Sequence, residues 1–280
     1  MKDLIIGCST NYDWSKLKYW INSINKSGFT GHKVMILMNC DFETAKKVSE
    51  AGFEIIGFSQ DQNKNLAYSS SIPVHVERFI HIYNYLSRNE FRYVITTDVK
   101  DVVFQKNPSD HIDELLGNDA SKNLIFASES MRYKDEAWGN ENLLQTFGPY
   151  VYEQFRNNEI YNVGVLAGRG NAIRDLAMNI FISAINRPIP ICDQSTFNVM
   201  VSMSPYKETS FYMPSESGWA AQLGTTADPS KIQKFRPYLL EKEPYHKDGK
   251  VYTSTGKEFT IVHQYDRVPE LRNEIERIYG

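Results

Sequence analysis

Along the chain, short apolar runs alternate with segments whose apolar positions recur every three or four residues. Leu4 to Gly7 reads as a short buried strand, and Ser9, Thr10 and Asn11 as a polar loop after it. Leu17, Trp20, Ile21 and Ile24 then share one helical face, with Gly28 as the stop. HKVMILMN is a second strand, followed by a helix from about Phe42 to Gly52, and FEIIGF is a third strand. Val76, Phe79, Ile80, Tyr83 and Leu86 mark another helix, which leads into the strand Tyr93 to Thr97. Strands alternating with helices predict an α/β fold, a mixed and mostly parallel sheet flanked by helices. In such sheets ligands gather beyond the carboxyl ends of the strands.

The second half is less regular. NLIFASES and IYNVGVLAG read as further strands, and Ile173, Leu176, Ala177, Ile180, Phe181 and Ala184 form a helical face. From about Ser204 the chain reads as loop-rich. HKDGKVYTSTGKEFTIVHQY predicts a hairpin or meander turning at Asp248-Gly249 and Thr255-Gly256, and Pro269 opens a last short helix. With no repeat, low-complexity segment or evident linker, the reading is one domain over 1–280.

Composition narrows the classes. A net charge of −3 gives no basic surplus for nucleic acid or an anionic membrane. No apolar run approaches the ~20 residues of a membrane span. Residues 1–10 lack the basic start and long apolar stretch of a signal peptide, so a cytoplasmic protein is expected. Cys8, Cys40 and Cys192 are odd in number and far apart, and are expected as buried free thiols.

The candidate chemistry centres on YVITTDVKDVVFQKNP. Asp98 sits at a strand's carboxyl end and Asp101 follows three residues later. The two converge only if the strand stops there and Val99-Lys100 turn the chain. Converging carboxylates repel unless a cation lies between them, and oxygen ligands suit Mg²⁺ or Mn²⁺. The plain alternative is a turn cap at Asp98 and an ion pair of Asp101 with Lys100. His263, in TIVHQYDR, also sits at a strand end; it is a structural histidine unless the fold brings it to the aspartates, where an imidazole would favour Mn²⁺. GRGNAI lacks the third glycine of a dinucleotide site, STGKEF lacks the residues of a phosphate loop, and no nucleophile elbow or paired-cysteine zinc spacing occurs.

Taken together, these segments resemble nucleotide-sugar glycosyltransferases of the GT-A fold, over about 1–200 in order with His263 as an outlying match. The resemblance implies a nucleobase loop over Ile5 to Tyr12, including Thr10, with Tyr12 stacking on the base. It implies an arginine, Arg78 in HVERFIHIYNYL, clamping the diphosphate ahead of the metal strand. The family's Asp-x-Asp motif appears in TDVKDVVF with one residue added, which leaves open whether Asp98 or Asp101 touches the metal directly. YNVGVLAG matches the strand beside the donor sugar, implicating Asn162 and Gly164. CDQSTFN matches the acceptor-side segment, implicating Asp193 and Gln194; Asp193 would hydrogen-bond a sugar hydroxyl or serve as general base toward the acceptor. VHQYDR supplies the late metal ligand, His263. The resemblance makes 1–110 the nucleotide-binding half and 111–280 the acceptor-binding half.

Ordinary roles stay open for three of these residues: Arg78 in a surface ion pair, Tyr12 in the core, Asp193 as a helix cap. Trp138 and Trp219, in polar surroundings, are expected as acceptor walls. The activity implied is a metal-dependent transfer from a nucleoside-diphosphate sugar to a carbohydrate or other hydroxyl acceptor. Two alternatives stand beside it. A nucleotidyltransferase would carry a glycine-rich, arginine-bearing loop where this chain has GCSTNYDW. The other is a non-catalytic sugar- or nucleotide-binding module.

Overall fold

A computed structural model describes residues 1–58 and 70–280. In chain order the first half contains β1 (Leu4–Thr10), α1 (Trp14–Lys26), β2 (His32–Met38), α2 (Phe42–Glu50), β3 (Glu54–Phe58), α3 (Val74–Leu86), β4 (Tyr93–Thr97), β5 (Val102–Phe104) and α4 (Pro108–Leu116). Then follow β6 (Leu124–Arg132), α5 (Ala137–Phe155), β7 (Glu159–Arg169), α6 (Gly170–Ala184), α7 (Asp193–Val201), α8 (Tyr206–Thr209), β8 (Ser210–Met213), β9 (Ala220–Gln222), α9 (Leu223–Thr226) and α10 (Ile232–Phe235). The hairpin β10 (Tyr245–Lys247) and β11 (Lys250–Tyr252), β12 (Ile261–His263) and α11 (Pro269–Tyr279) complete the chain.

Seven strands form one sheet in the order β3-β2-β1-β4-β7-β6-β8. Its pairs are parallel except where β7 meets β4 and β6, so β7 alone runs against the rest. Alternate residues of each strand serve opposite faces. Ile5, Met35 and Ile95 pack under Leu17, Trp20 and Ile21 of α1 and Ile112 of α4. Leu4, Ile6, Val34 and Val94 pack against Phe79 and Ile82 of α3, Ile173 and Ile180 of α6 and Phe197 of α7. This two-sided cover explains why the central strands read as continuous apolar runs rather than alternating ones.

Several elements differ from the sequence reading. On α3 the buried face is Val76, Phe79, Ile82 and Leu86, with Ile80 and Tyr83 at its margin. The segment holding Trp138 is a helix, not a loop: Glu136 caps α5 by accepting from the backbone amides of Trp138 and Gly139, and Gly148 kinks it with φ 76°, ψ 173° ahead of Pro149. Trp219 is fully buried, edge-on to His111 with ring centroids 5.2 Å apart, and walls no cleft. Between Ser204 and the last helix, α11, the chain is built from elements of three or four residues, too short for their periodicity to register. Two of them, β9 and β12, join β5 from the first half in a second sheet in the order β5-β12-β9. Cys192 is buried, while Cys8 and Cys40 are half-buried; all three are free thiols. Among the described residues no helix is long and apolar enough to cross a membrane.

Candidate active site

A cleft of about 520 Å³ opens at the carboxyl ends of β1, β4 and β6. Because β7 is antiparallel, its first residues reach the same edge. β4 stops at Thr97, the chain turns through 98–101, and β5 restarts at Val102. β5 then pairs antiparallel with β12, placing His263 opposite Val102, and the backbone amide of Gln264 donates to the Asp101 carbonyl at 2.7 Å. The small sheet therefore carries His263 to the two aspartates across the sequence.

The result is one cluster. One ligating atom each from Asp98, Asp101 and His263 lies within 4.8 Å of the others. His263 Nε2 is 3.5 Å from Asp98 Oδ2 and 3.7 Å from Asp101 Oδ1. Its Nδ1 meets Gln222 Oε1 at 2.8 Å, the residue opposite it on β9. The amide oxygen accepts, so Nδ1 carries a hydrogen and Nε2 faces the carboxylates. Gly164 leaves room for this approach: a Cβ there would lie 2.7 Å from Asp98 Oδ2 and 2.7 Å from His263 Cε1. Two carboxylates and an imidazole with its second nitrogen fixed by a neighbour are a donor set that fits Mn²⁺ or Mg²⁺, with the imidazole favouring Mn²⁺.

Arg78, on the buried side of α3, joins this cluster to the next wall. Its guanidinium makes a close ion pair with Asp98, and Nη2 donates to Asp193 Oδ2 at 3.1 Å. Arg78 is thus no surface ion-pair residue, and Asp193 is the first residue of α7 rather than its cap. One guanidinium serves two carboxylates. Burial opposes ionisation of Asp98, but Arg78 and His263 overcome it and hold the carboxyl well below its usual range. Burial pushes Asp193 up despite Arg78. It likewise raises Asp101, with Asp98 and Asp266 adding to it. Burial alone would lower His263, but Asp101 and Asp98 beside it raise it. Arg78 Nε and Gln222 Nε2 are buried without hydrogen-bond partners among the described residues.

The other sequence candidates line the same cleft. Thr10 ends β1 and Tyr12 follows it on one wall; Tyr12 is half-buried against the core, with Lys16 Nζ 5.3 Å from its ring centre. Burial, then Asp101 and Asp98, raise the Tyr12 phenol. Asn162 accepts from the Gly164 amide at 2.7 Å, and Gln194 is on the same lining. Trp138, 50% exposed, stands on the lining with Ile191.

Sequence reasoning missed Glu129, Glu136, Gln222, Lys231 and Arg267, all but Gln222 on the cleft lining. Glu129 is buried, and Asn162 Nδ2 at 2.7 Å and Gln194 Nε2 at 3.0 Å both donate to its Oε1. Burial pushes its carboxyl up to about 7, helped by Glu136. The available signal was its place: like Asp98, it ends an apolar strand run, between two serines. Register shifts in β6 and a positive φ of 54° at Ser130 turn the strand here.

No protein-family model and no curated protein matches this sequence. Solved structures do match. One of them, WbbM, described as a bifunctional glycosyltransferase in an apo structure, superposes with a TM-score of 0.60 at 12% identity, over 98% of this chain and 49% of that one. The chain spans about half the length of that protein. The fold, a mixed and mostly parallel α/β sheet flanked by helices, is one that this chain shares with a glycosyltransferase.

Proposed function

We propose that the chain transfers a sugar from a nucleoside-diphosphate sugar to a hydroxyl of a carbohydrate or similar acceptor, using a divalent cation at Asp98, Asp101 and His263. The observation that carries this reading is the meeting of those three side chains with Arg78 at the carboxyl ends of the sheet. When bound, such a cation supplies Lewis-acid neutralisation of the leaving diphosphate. The chain's own groups do the rest. Thr10 and Tyr12 hold the nucleoside at the end of β1. Arg78 offers a guanidinium to the diphosphate oxygens, and Lys231 and Arg267 add positive charge along the cleft wall. Asn162, Gly164 and Gln194 form the floor under the sugar, and Trp138 presents an indole face to the acceptor. WbbM's description as a glycosyltransferase is consistent with this chemistry.

The test is thermal melting of the full chain with UDP, GDP, CDP, ADP and dTDP, each with Mn²⁺ or with EDTA. Ligand at 100 times its dissociation constant stabilises by about 2.7 kcal/mol, or roughly 5–10 °C here. One base should shift the melt, only with the cation, and its sugar conjugates should release free sugar in the same buffer. No shift with any nucleotide, or pyrophosphate as the product, sinks the proposal.

A further inference from the structure

Among the described residues, Glu129 is the one buried carboxylate of the cleft that neither pairs with a cation nor caps a helix. Both protein donors it meets go to the same oxygen, Oε1, and both are uncharged amides, Asn162 and Gln194. Oε2 has no hydrogen bond and no ion pair among the described residues, yet Glu129 lines the cleft. Its backbone is anchored by Thr225 Oγ1, which donates to the Glu129 carbonyl at 2.9 Å. The side chain is therefore fixed in direction with one oxygen unused.

Accepting the transferase reading above, on which this rests, the geometry points to Glu129 as the general base of the transfer, its Oε2 taking the proton of the attacking hydroxyl. As that O–H bond breaks, the acceptor oxygen bonds to the anomeric carbon. In the same displacement the anomeric C–O bond to phosphate breaks, and its electron pair leaves with the nucleoside diphosphate. Glu129, now a carboxylic acid, returns the proton to solvent. Asp193 is the competing candidate, but its carboxylate is held by Arg78 at 3.1 Å, and taking up a proton would forfeit that charge-assisted bond. Glu129 has only amide donors to keep, and a carboxyl poised near 7 suits a base working at neutral pH.

The groups facing Glu129 are few. Glu136 ahead of α5, His263 at the end of β12 and Tyr133 are the ionisable groups close enough to feel its charge. From β7, α7 and α9 it meets the uncharged Asn162, Gln194 and Thr225.

Glu129→Gln keeps the side-chain shape, and its carbonyl can still accept from Asn162 and Gln194. The experiment follows Mn²⁺-dependent release of sugar from labelled nucleoside-diphosphate sugars, with water as acceptor, in the wild type, Glu129→Gln and Glu129→Asp. Nucleoside-diphosphate affinity is measured beside it by calorimetry. The expected outcome is a loss of kcat of roughly 10²–10⁴-fold in Glu129→Gln and a smaller loss in Glu129→Asp. Donor affinity stays within about threefold, since the missing interaction belongs to the transition state. Wild-type kcat should fall below about pH 7, and that limb should vanish in Glu129→Gln, which keeps Glu136, His263 and Tyr133. The released sugar should have inverted configuration, as a single displacement requires. Wild-type turnover in Glu129→Gln, a persisting limb or retained configuration each overturns the role of Glu129 while leaving the transferase standing. A wild-type chain that neither binds nucleotide nor splits any donor removes both.

Discussion

Gly164→Ala adds one methyl group where the cluster is tightest. The new Cβ would sit 2.7 Å from Asp98 Oδ2, 2.7 Å from His263 Cε1 and 2.8 Å from Asn162 Oδ1, where ordinary contact begins at 3.4 Å, so each must retreat by about 0.6–0.7 Å. Overpacking of this kind costs about 1–3 kcal/mol, a melting-point loss of roughly 2–10 °C in a chain of this size. The effect on a cation should be larger than the effect on the fold. Metal–ligand distances tolerate only about 0.2 Å, and two of the three displaced groups are proposed ligands. Melts of both proteins across a Mn²⁺ titration, at fixed nucleoside diphosphate, separate the two effects. The variant should melt lower without ligand and lose most of the Mn²⁺-dependent rise. If its apparent Mn²⁺ affinity stays within about threefold of the wild type, the cluster does not hold the cation.

Asp101→Asn, at a part-exposed turn past the strand end, should leave the unliganded melt nearly unchanged and abolish the Mn²⁺-dependent shift; an intact shift removes Asp101 from the ligand set. Arg78→Met strips Asp98 and Asp193 of their shared buried partner and should cost roughly 3–5 kcal/mol in urea unfolding without cation, whereas a loss below about 1 kcal/mol would mean the pair is solvated. Glu129 keeps its proton to about pH 7 when folded, against an ordinary 4.5, so the folded chain binds more protons between those values and stability falls as pH rises through that window. At 1.36 kcal/mol per pH unit this amounts to about 3 kcal/mol, so the stability gap between Glu129→Gln and wild type should move by that order in the variant's favour from pH 4.5 to 8; a constant gap refutes it.

The parts legible in the sequence are those whose signal is local. Apolar periodicity gave β1 to β4 and the helices between them, because each of those helices buries a stripe against a covered sheet. Asp98 was visible as a charge closing an apolar run. Its meeting with His263 was reached only through the family resemblance, because the register of β12 on β5 brings them together and nothing local encodes that pairing. Trp219 misled for the opposite reason: its polar sequence neighbours do not reveal that the ring itself packs under His111. Glu129 carried the same strand-end signal as Asp98, yet without a second carboxylate nearby in sequence it read as an ordinary polar residue.

Charge in the cleft also argues about the order of events. Asp98, Asp101, Glu129, Glu136 and Asp193 all line it, and the buried positive partners beside them are Arg78 and, when protonated, His263. Lys100, Lys231 and Arg267 stand at its exposed margin, where water and salt weaken their pull. A bare diphosphate entering this floor meets more negative charge than positive at short range, and burial enlarges that repulsion. Arg78 cannot resolve it alone, since its guanidinium already serves two carboxylates. Under the proposed function, the donor must therefore arrive with its cation or after it. Nucleoside diphosphate without a divalent ion should bind weakly, and tight binding in EDTA, read by calorimetry, would refute this order.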